Sequence, residues 1–197
     1  MYDYTPTLIT TMKTLLSSLL IILSLFSNAQ CPVRGSGKPS QWHADSLKNR
    51  PIVNECIDSS ITLSWLLGDS TMNENSYVRI EGYIIKVAHG GAESCNCKTA
   101  DKSKRDTHIY IGAEPGLTDT KNCIVVELTP ESYKHNLSYD YAKFLTGKKV
   151  AVEGYIFYDK EHEKNAVNTT HSPLSSVSVW RASCFELHPV SKITELQ

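Results

Sequence analysis

Hydrophobic and polar positions alternate most regularly over residues 147–159. This alternation predicts a β-strand with one apolar face, formed by Val150, Val152 and Ile156. Gly154 lies where the strand must bend sharply or let another backbone approach closely. A similar pattern occurs over residues 77–87, so the chain contains two segments of this bent type. Two bent strands predict a small closed barrel.

Three further strands are predicted by the same alternation, over residues 106–112, 123–129 and 177–187. Between the third and fourth strands, apolar residues recur at helical spacing, namely Leu137, Tyr141, Phe144 and Leu145. The predicted order is therefore three strands, a helix and two strands. This order indicates a mainly β fold, a five-stranded Greek-key barrel like the oligonucleotide/oligosaccharide-binding (OB) fold. An open α+β sheet is the alternative.

The residues before the first strand are expected to pack on the barrel. A short helix is predicted over residues 41–49 with Ser40 as its cap, and a second apolar segment, helix or strand, over residues 59–67. This part of the chain is too small and polar for a domain of its own. We therefore predict an N-terminal extension over residues 30–75 and a barrel domain over residues 76–197.

The N-terminal residues have the layout of a secretory signal peptide. Lys13 precedes an apolar segment over residues 15–26, and Ser27-Asn28-Ala29 follows as a pattern of small residues suited to cleavage. The apolar segment is shorter than the about 20 residues of a membrane span. We therefore predict a signal peptide over residues 1–29 and a periplasmic or extracellular chain without a transmembrane span. A retained anchor or a buried helix is the alternative.

Lipid attachment at Cys31 is less favoured, because Gln30 and Asn28 do not match the residues that precede a lipidated cysteine. All six cysteines follow the predicted signal peptide: Cys31, Cys56, Cys95, Cys97, Cys123 and Cys184. An even number of cysteines in an exported chain favours disulfide bonds, and Cys95 and Cys97 are expected to have different partners. The competing interpretation is a Cys-x-Cys metal site with His89 or His108.

Composition narrows the function only a little. The 197-residue chain is 41% hydrophobic and 21% charged, as in ordinary globular proteins, and its formal net charge is −1. This balance gives no electrostatic reason to expect nucleic acid or an anionic membrane as a partner.

Several motifs together resemble a known group of exported bacterial proteins to which no activity is assigned. The motifs with the clearest match are Asp106-Thr-His-Ile109, Val126-Glu-Leu-Thr-Pro130 and Phe185-Glu-Leu-His-Pro189. The resemblance extends over about residues 42–193, and the chain departs from the group at Thr107 and Phe185, where the group has Trp. It implies export and an OB-like barrel, but it supplies no reaction.

Ligands of OB barrels cross the outer face of strands 2 and 3, between the loops that join strands 1–2 and 4–5. The residues predicted to bind a ligand there are His108, Tyr110, Glu127, Asp159, His162, Glu186 and His188. The ligand is expected to be a small molecule, an oligosaccharide or a protein. No spacing matches a known catalytic site, so we favour a binding module and assign no catalytic residue.

A divalent metal site is the alternative, formed by His108, Glu127, Asp159, His162 and His188. Imidazole and carboxylate groups suit first-row metals, and a bound metal activates water. The chain is then a metal-dependent hydrolase, for example one that acts on phosphodiesters.

Overall fold

Five strands form the barrel in the computed structural model, which describes residues 31–53, 55–68, 74–169 and 178–197. The strands are β1 (Tyr77–His89), β2 (Thr107–Gly112), β3 (Cys123–Leu128), β4 (Lys149–Tyr158) and β5 (Phe185–Glu195). Four short α-helices accompany them in this part of the chain: α1 (Trp42–Lys48), α2 (Leu63–Leu67), α3 (Pro130–Tyr133) and α4 (Tyr139–Phe144). The predicted signal peptide, residues 1–29, lies outside the described residues.

The sheet closes on itself in the order β1-β2-β3-β5-β4. Strands β3 and β5 are parallel, and the other neighbouring pairs are antiparallel. Helices α3 and α4 connect β3 to β4, at the position that the sequence predicted for one helix. The structure therefore confirms the mainly β, OB-like barrel.

The alternation of side chains in the strands is also as predicted. Ile124, Val126 and Leu128 of β3 point into the barrel and are fully buried in the main apolar cluster, with Val150, Val152 and Ile156 of β4. Burial of such side chains stabilises a fold by about 25 cal/mol per Å² of apolar surface removed from water. The main apolar cluster thus fills the barrel and leaves the polar positions of these strands on its outer face.

The fifth strand begins and ends later than predicted, at Phe185 and Glu195 instead of 177 and 187. The predicted end, two residues before Pro189, is wrong. The pairing of β4 with β5 shifts register between Gly154 and Ile156, so β5 carries an irregularity beside the proline. A proline without an N–H donor is tolerated at such a bulge, and the strand continues beyond it.

The N-terminal residues are fastened to the loop between β1 and β2. A disulfide bond joins Cys31 to Cys97, the amide of Asn49 donates to the carbonyl of Cys95, and the amide N–H of Ser36 donates to the carbonyl of Ser94. Residues Cys31–Gln197 form one compact unit. Helix α1 begins after a 3-10 turn over Pro39–Gln41, and no side chain caps it, so the predicted Ser40 cap is wrong.

The other predicted disulfide partners are free thiols in the described structure: Cys56, Cys95, Cys123 and Cys184. Cys56 is exposed, whereas Cys123 contacts the carbonyl of Asp119 and Cys184 contacts the hydroxyl of Thr169. The even number of cysteines therefore predicted more disulfide bonds than the described residues form. Within the described ranges, no helix is long and apolar enough to cross a membrane.

Gly154 is required by the close approach of β5. A Cβ atom at this position would lie 2.8 Å from the carbonyl oxygen of Pro189 and 3.2 Å from the Cα atom of Val190. Because these are backbone atoms, a larger residue forces the two strands apart.

We predict that Gly154→Ala lowers the free energy of unfolding by about 1–3 kcal/mol, the usual cost of overpacking a close-packed site. Denaturant-induced unfolding measures this change. Gly91→Ala is the matched control, since a Cβ atom there has only a side chain near it, at 3.8 Å, and the variant should behave like the natural protein. Equal stability of both variants would contradict the explanation.

Candidate functional site

Charged side chains from three neighbouring strands meet on the outer face of the barrel. His108 of β2 lies directly opposite Glu127 of β3, and Glu186 of β5 pairs in register with Val125 of β3. His188 follows two residues after Glu186, on the same side of β5. Strand pleating therefore places an acid or a histidine at each of these outward positions.

These side chains form a continuous series of contacts across the outer face, from β2 through β3 to β5. Nε2 of His108 lies 3.2 Å from Oε1 of Glu127, and Nδ1 of His188 lies 3.1 Å from Oε2 of the same carboxylate. The same Nδ1 atom is 3.7 Å from Oε2 of Glu186. Glu127 is thus held between two imidazole rings.

Arg181 extends the contacts to the end of β4. Its Nη1 donates to Oε1 of Glu186 at 2.6 Å and to Oδ2 of Asp159 at 3.4 Å. Asp159 also contacts Nδ1 of His162. The resulting outer-face network comprises His108, Glu127, His188, Glu186, Arg181, Asp159 and His162.

The centre of the outer-face network is buried, although it lies outside the barrel. Arg181 and His188 have no exposed surface, and Glu127 and Glu186 are only 2% and 1% exposed. Lys48 of α1 packs over the ring of Phe157 on the same side of the sheet. The segment before β5 contributes Arg181 itself, so parts of the chain remote in sequence cover this face together.

Trp180 covers the neighbouring part of the face. Its ring packs edge-on against Tyr110 with centroids 6.1 Å apart, and it makes a second edge contact with His162. Tyr110, Cys123 and Val125 form a small apolar cluster beneath it. The outer face of β2 and β3, which the sequence analysis treated as open to a ligand, is therefore closed by the protein's own chain.

The charges of the network set one another's protonation. Burial favours a neutral ring at His188, but Glu127 and Glu186 outweigh it and raise the pKa of His188 to about 10. Burial likewise opposes ionisation of Glu127, yet His108 and His188 hold the pKa of this carboxyl well below its usual range. The ion pairs thus keep both groups charged at neutral pH.

Asp106 is the exception among the buried acids. Burial raises the pKa of Asp106 to about 6, and Glu127 adds to the effect, while His188 acts in the opposite direction. Asp106 is only 2% exposed and lies just before β2, on the same side as His108. Its carboxylate is therefore less well compensated by positive charge than that of Glu127.

Asp106 also belongs to two groups of metal-ligand atoms among the described residues. Donor atoms of Asp106, Glu127 and His188 all lie within 4.8 Å of one another, and the same holds for Glu93, Cys95 and Asp106. In the second group, Sγ of Cys95 lies 3.6 Å from Oδ2 of Asp106. Burial raises the pKa of the Cys95 thiol far above its usual value, so it is neutral there.

The structure brings together six of the seven predicted ligand-binding residues, namely His108, Glu127, Asp159, His162, Glu186 and His188. Tyr110 lies beside them under Trp180. The predicted metal set is divided, because the guanidinium of Arg181 stands between its two parts. His108, Glu127 and His188 lie on one side, and Asp159 and His162 lie on the other.

Three important residues were missed by the sequence analysis. Asp106 was named only as the first residue of a motif, although its spacing of two residues from His108 places both on one strand face. Arg181 lies inside the segment that was wrongly assigned to β5. The alternating pattern there gave no sign that its side chain is a buried ion-pair partner. Lys48, which is bonded to Glu93 at 3.0 Å, carries no local signal because its partners are distant in sequence.

We predict that Arg181→Met lowers the free energy of unfolding by about 3–5 kcal/mol, because Glu186 and Asp159 then remain buried without a counter-charge. Denaturant-induced unfolding at neutral pH measures this loss. Arg79→Met is the matched control, since the Arg79–Glu81 ion pair is largely exposed and should matter little. A loss no larger than that of the control would show that the network is not stabilised by charge pairing.

Comparisons with known proteins add a family match and a distant structural one. A family profile described as a domain of unknown function (DUF6359) matches residues 67–158. No curated protein matches the chain. Among solved structures, the chain is similar to an OBody bound to hen egg-white lysozyme, with 14% identity and a TM-score of 0.35, covering 63% of this chain and 84% of that one. The profile describes the segment from the end of α2 through β4, which includes His108 and Glu127.

Proposed function

We propose that this protein is an exported binding module whose ligand is a divalent cation, held on the outer face of β2, β3 and β5. The observation that carries this proposal is the convergence of Asp106, Glu127 and His188, whose donor atoms lie within 4.8 Å of one another. Two carboxylates and an imidazole suit a divalent metal ion.

An unpartnered nitrogen supports the same proposal. His188 is fully buried, and its Nε2 has no hydrogen-bond partner among the described residues. Buried polar atoms in proteins are nearly always paired, so such an atom calls for an explanation. A metal ion that displaces one ring proton supplies the missing partner, because imidazole binds metals in its neutral form.

The balance of buried charge is consistent with a bound cation. Four carboxylates are buried on this side of the barrel, those of Asp106, Glu127, Asp159 and Glu186. Arg181 pairs with Asp159 and Glu186, His188 pairs with Glu127, and Lys48 pairs with Glu93. Asp106 is left with the weakest compensation, and it is the residue that both donor groups share.

Burial of the outer face limits the size of the ligand that can bind there. Glu127, Tyr110 and Val125 occupy the face where OB barrels bind extended ligands, and all three are covered by the chain. These residues leave no open surface there for an oligosaccharide, a protein or a bulky organic ligand. A single ion requires no such surface, so it agrees with both the predicted location and the observed burial.

The same burial favours binding over metal-dependent hydrolysis. A catalytic metal keeps a coordination position open for water and substrate. Asp106, Glu127 and His188 are each at most 2% exposed, so a metal held by them resembles a closed structural site.

Export is proposed from the signal-like residues 1–29 and agrees with the Cys31–Cys97 disulfide, a bond typical of exported proteins.

We predict that the purified protein contains close to one equivalent of a divalent metal, measured by elemental analysis. After the metal is removed with a chelator, adding Zn²⁺ at about 100 times its Kd should stabilise the fold by about 2.7 kcal/mol. For a domain of this size the melting temperature then rises by roughly 5–10 °C.

Asp106→Asn and His188→Gln should abolish both the bound metal and the thermal shift. His162→Gln is the control, because His162 lies beyond Arg181 and is one-third exposed, and it should retain both. Circular dichroism establishes that each variant is folded, and Asp106→Asn keeps the size of the side chain. A metal-free protein whose melting temperature is unchanged by Zn²⁺, Mn²⁺ and Ca²⁺ would disprove the proposed function.

A further inference from the structure

One positive charge on the outer face comes from the N-terminal extension and not from the barrel. Lys48, the last residue of α1, is only 7% exposed, and its Nζ lies 3.0 Å from Oε2 of Glu93. The same Nζ lies 5.5 Å from the centroid of the Phe157 ring, which packs edge-on against the imidazole of His188 with centroids 5.8 Å apart. Helix α1 therefore brings an ammonium group to the side of the barrel where the cation is proposed to bind.

Glu93 connects this ammonium group to the proposed cation site. A carboxylate oxygen of Glu93 lies within 4.8 Å of a donor atom of Asp106. Asp106 in turn lies within the same distance of donor atoms of Glu127 and His188. A single carboxylate thus separates Lys48 from the residues that are proposed to hold the ion.

We propose that Lys48 is a tethered competitor of the divalent cation, because its ammonium group supplies positive charge to the same acidic side chains and thereby weakens ion binding at Asp106, Glu127 and His188. This inference rests on the proposed function and names how the affinity of that site is regulated. Lys48 is not a ligand, since an ammonium group has donors and no acceptor, and it acts only through its charge.

The protonation of these groups agrees with such a competition. Burial alone would lower the pKa of Lys48, but the surrounding carboxylates, first among them that of Glu127, outweigh it and raise this pKa well above its usual value. Burial opposes ionisation of Glu127, and Lys48 acts with His108 and His188 to lower the pKa of this carboxyl. Burial raises the pKa of Asp106 to about 6, and His188 and Lys48 counteract that rise. Lys48 therefore remains charged and acts on both carboxylates of the site.

Ion binding changes the charge beside Lys48 by one unit. At neutral pH, Asp106 and Glu127 are ionised and His188 is protonated, so the three side chains carry one net negative charge. A divalent ion that takes the place of one ring proton brings this sum to zero, and the proton passes to the buffer. Lys48 then loses the attraction of that negative charge. Removing the charge of Lys48 therefore favours the ion-bound protein.

The replacement Lys48→Met removes this charge and keeps an unbranched side chain over the Phe157 ring. The side chain of Glu93 is 27% exposed, so water can solvate its carboxylate after the replacement. Two matched controls are available. Lys48→Arg retains the positive charge, and Lys38→Met removes an exposed lysine elsewhere in the N-terminal extension.

Calorimetric titration with Zn²⁺, at one pH and in one buffer after treatment with a chelator, tests the inference. We expect Lys48→Met to bind Zn²⁺ about 10-fold more tightly than the natural protein, within the roughly 5- to 150-fold range typical of coupling between sites. Lys48→Arg and Lys38→Met should retain the natural affinity. A gain of the same size in either control would contradict a specific role for the charge of Lys48.

Hydrogen exchange of the natural protein provides a measurement that needs no variant. Coupling is reciprocal, so Zn²⁺ must weaken the docking of Lys48 by the factor by which docked Lys48 weakens Zn²⁺ binding. The amide N–H of Asn49 donates to the carbonyl of Asp45 in the last turn of α1, and it should exchange about 10-fold faster with saturating Zn²⁺. Amides of β1 and β4 should show no such acceleration. Unchanged or slower exchange of Asn49 in a protein that binds Zn²⁺ would overturn the inference, even if Lys48→Met does not fold.

The outcomes separate this inference from the proposed function. Equal Zn²⁺ affinity of Lys48→Met and the natural protein would overturn the competition and leave cation binding intact. Binding by Lys48→Met without binding by the natural protein would support the competition and overturn cation binding as the natural function. Failure of both proteins to bind Zn²⁺, Mn²⁺ and Ca²⁺ would overturn the two proposals together.

Discussion

Glu127 lies between two imidazole rings, and the arrangement of the whole outer face depends on its charge being compensated there. An isolated carboxylate at this depth would be very costly, because removing one partner of a buried ion pair costs about 3–5 kcal/mol. His108 and His188 therefore offset the cost of burying Glu127. Arg181 fulfils the same requirement for Glu186 and Asp159.

The segments that cover this face also help to compensate its buried charges. Lys48 reaches Glu93 from helix α1, and the Cys31–Cys97 disulfide fastens the N-terminal residues to the loop that carries Glu93. These contacts join segments that lie more than forty residues apart in the chain. The cover excludes water, which strengthens each ion pair and at the same time raises the cost of any charge left unpaired.

A closed face changes the kind of ligand that an OB-like barrel can bind. OB barrels bind their ligands on the outer face of β2 and β3, but here charged side chains and Trp180 cover that face. Donor atoms of Asp106, Glu127 and His188 lie within 4.8 Å of one another on this face. The proposed cation binding would keep the location of the usual OB site while replacing its ligand, and it would add to the stability of the fold by linkage.

Local pattern determined much of this protein by itself. Alternation in β2, β3 and β4 identified these strands, their inner faces and the outward positions of His108 and Glu127, because the two-residue period of a strand is a local property. Tertiary structure decided what covers these positions, which cysteine is bonded, and that Arg181 divides the predicted metal set. Those outcomes depend on contacts between distant segments, and burial of charge is settled only when such segments meet.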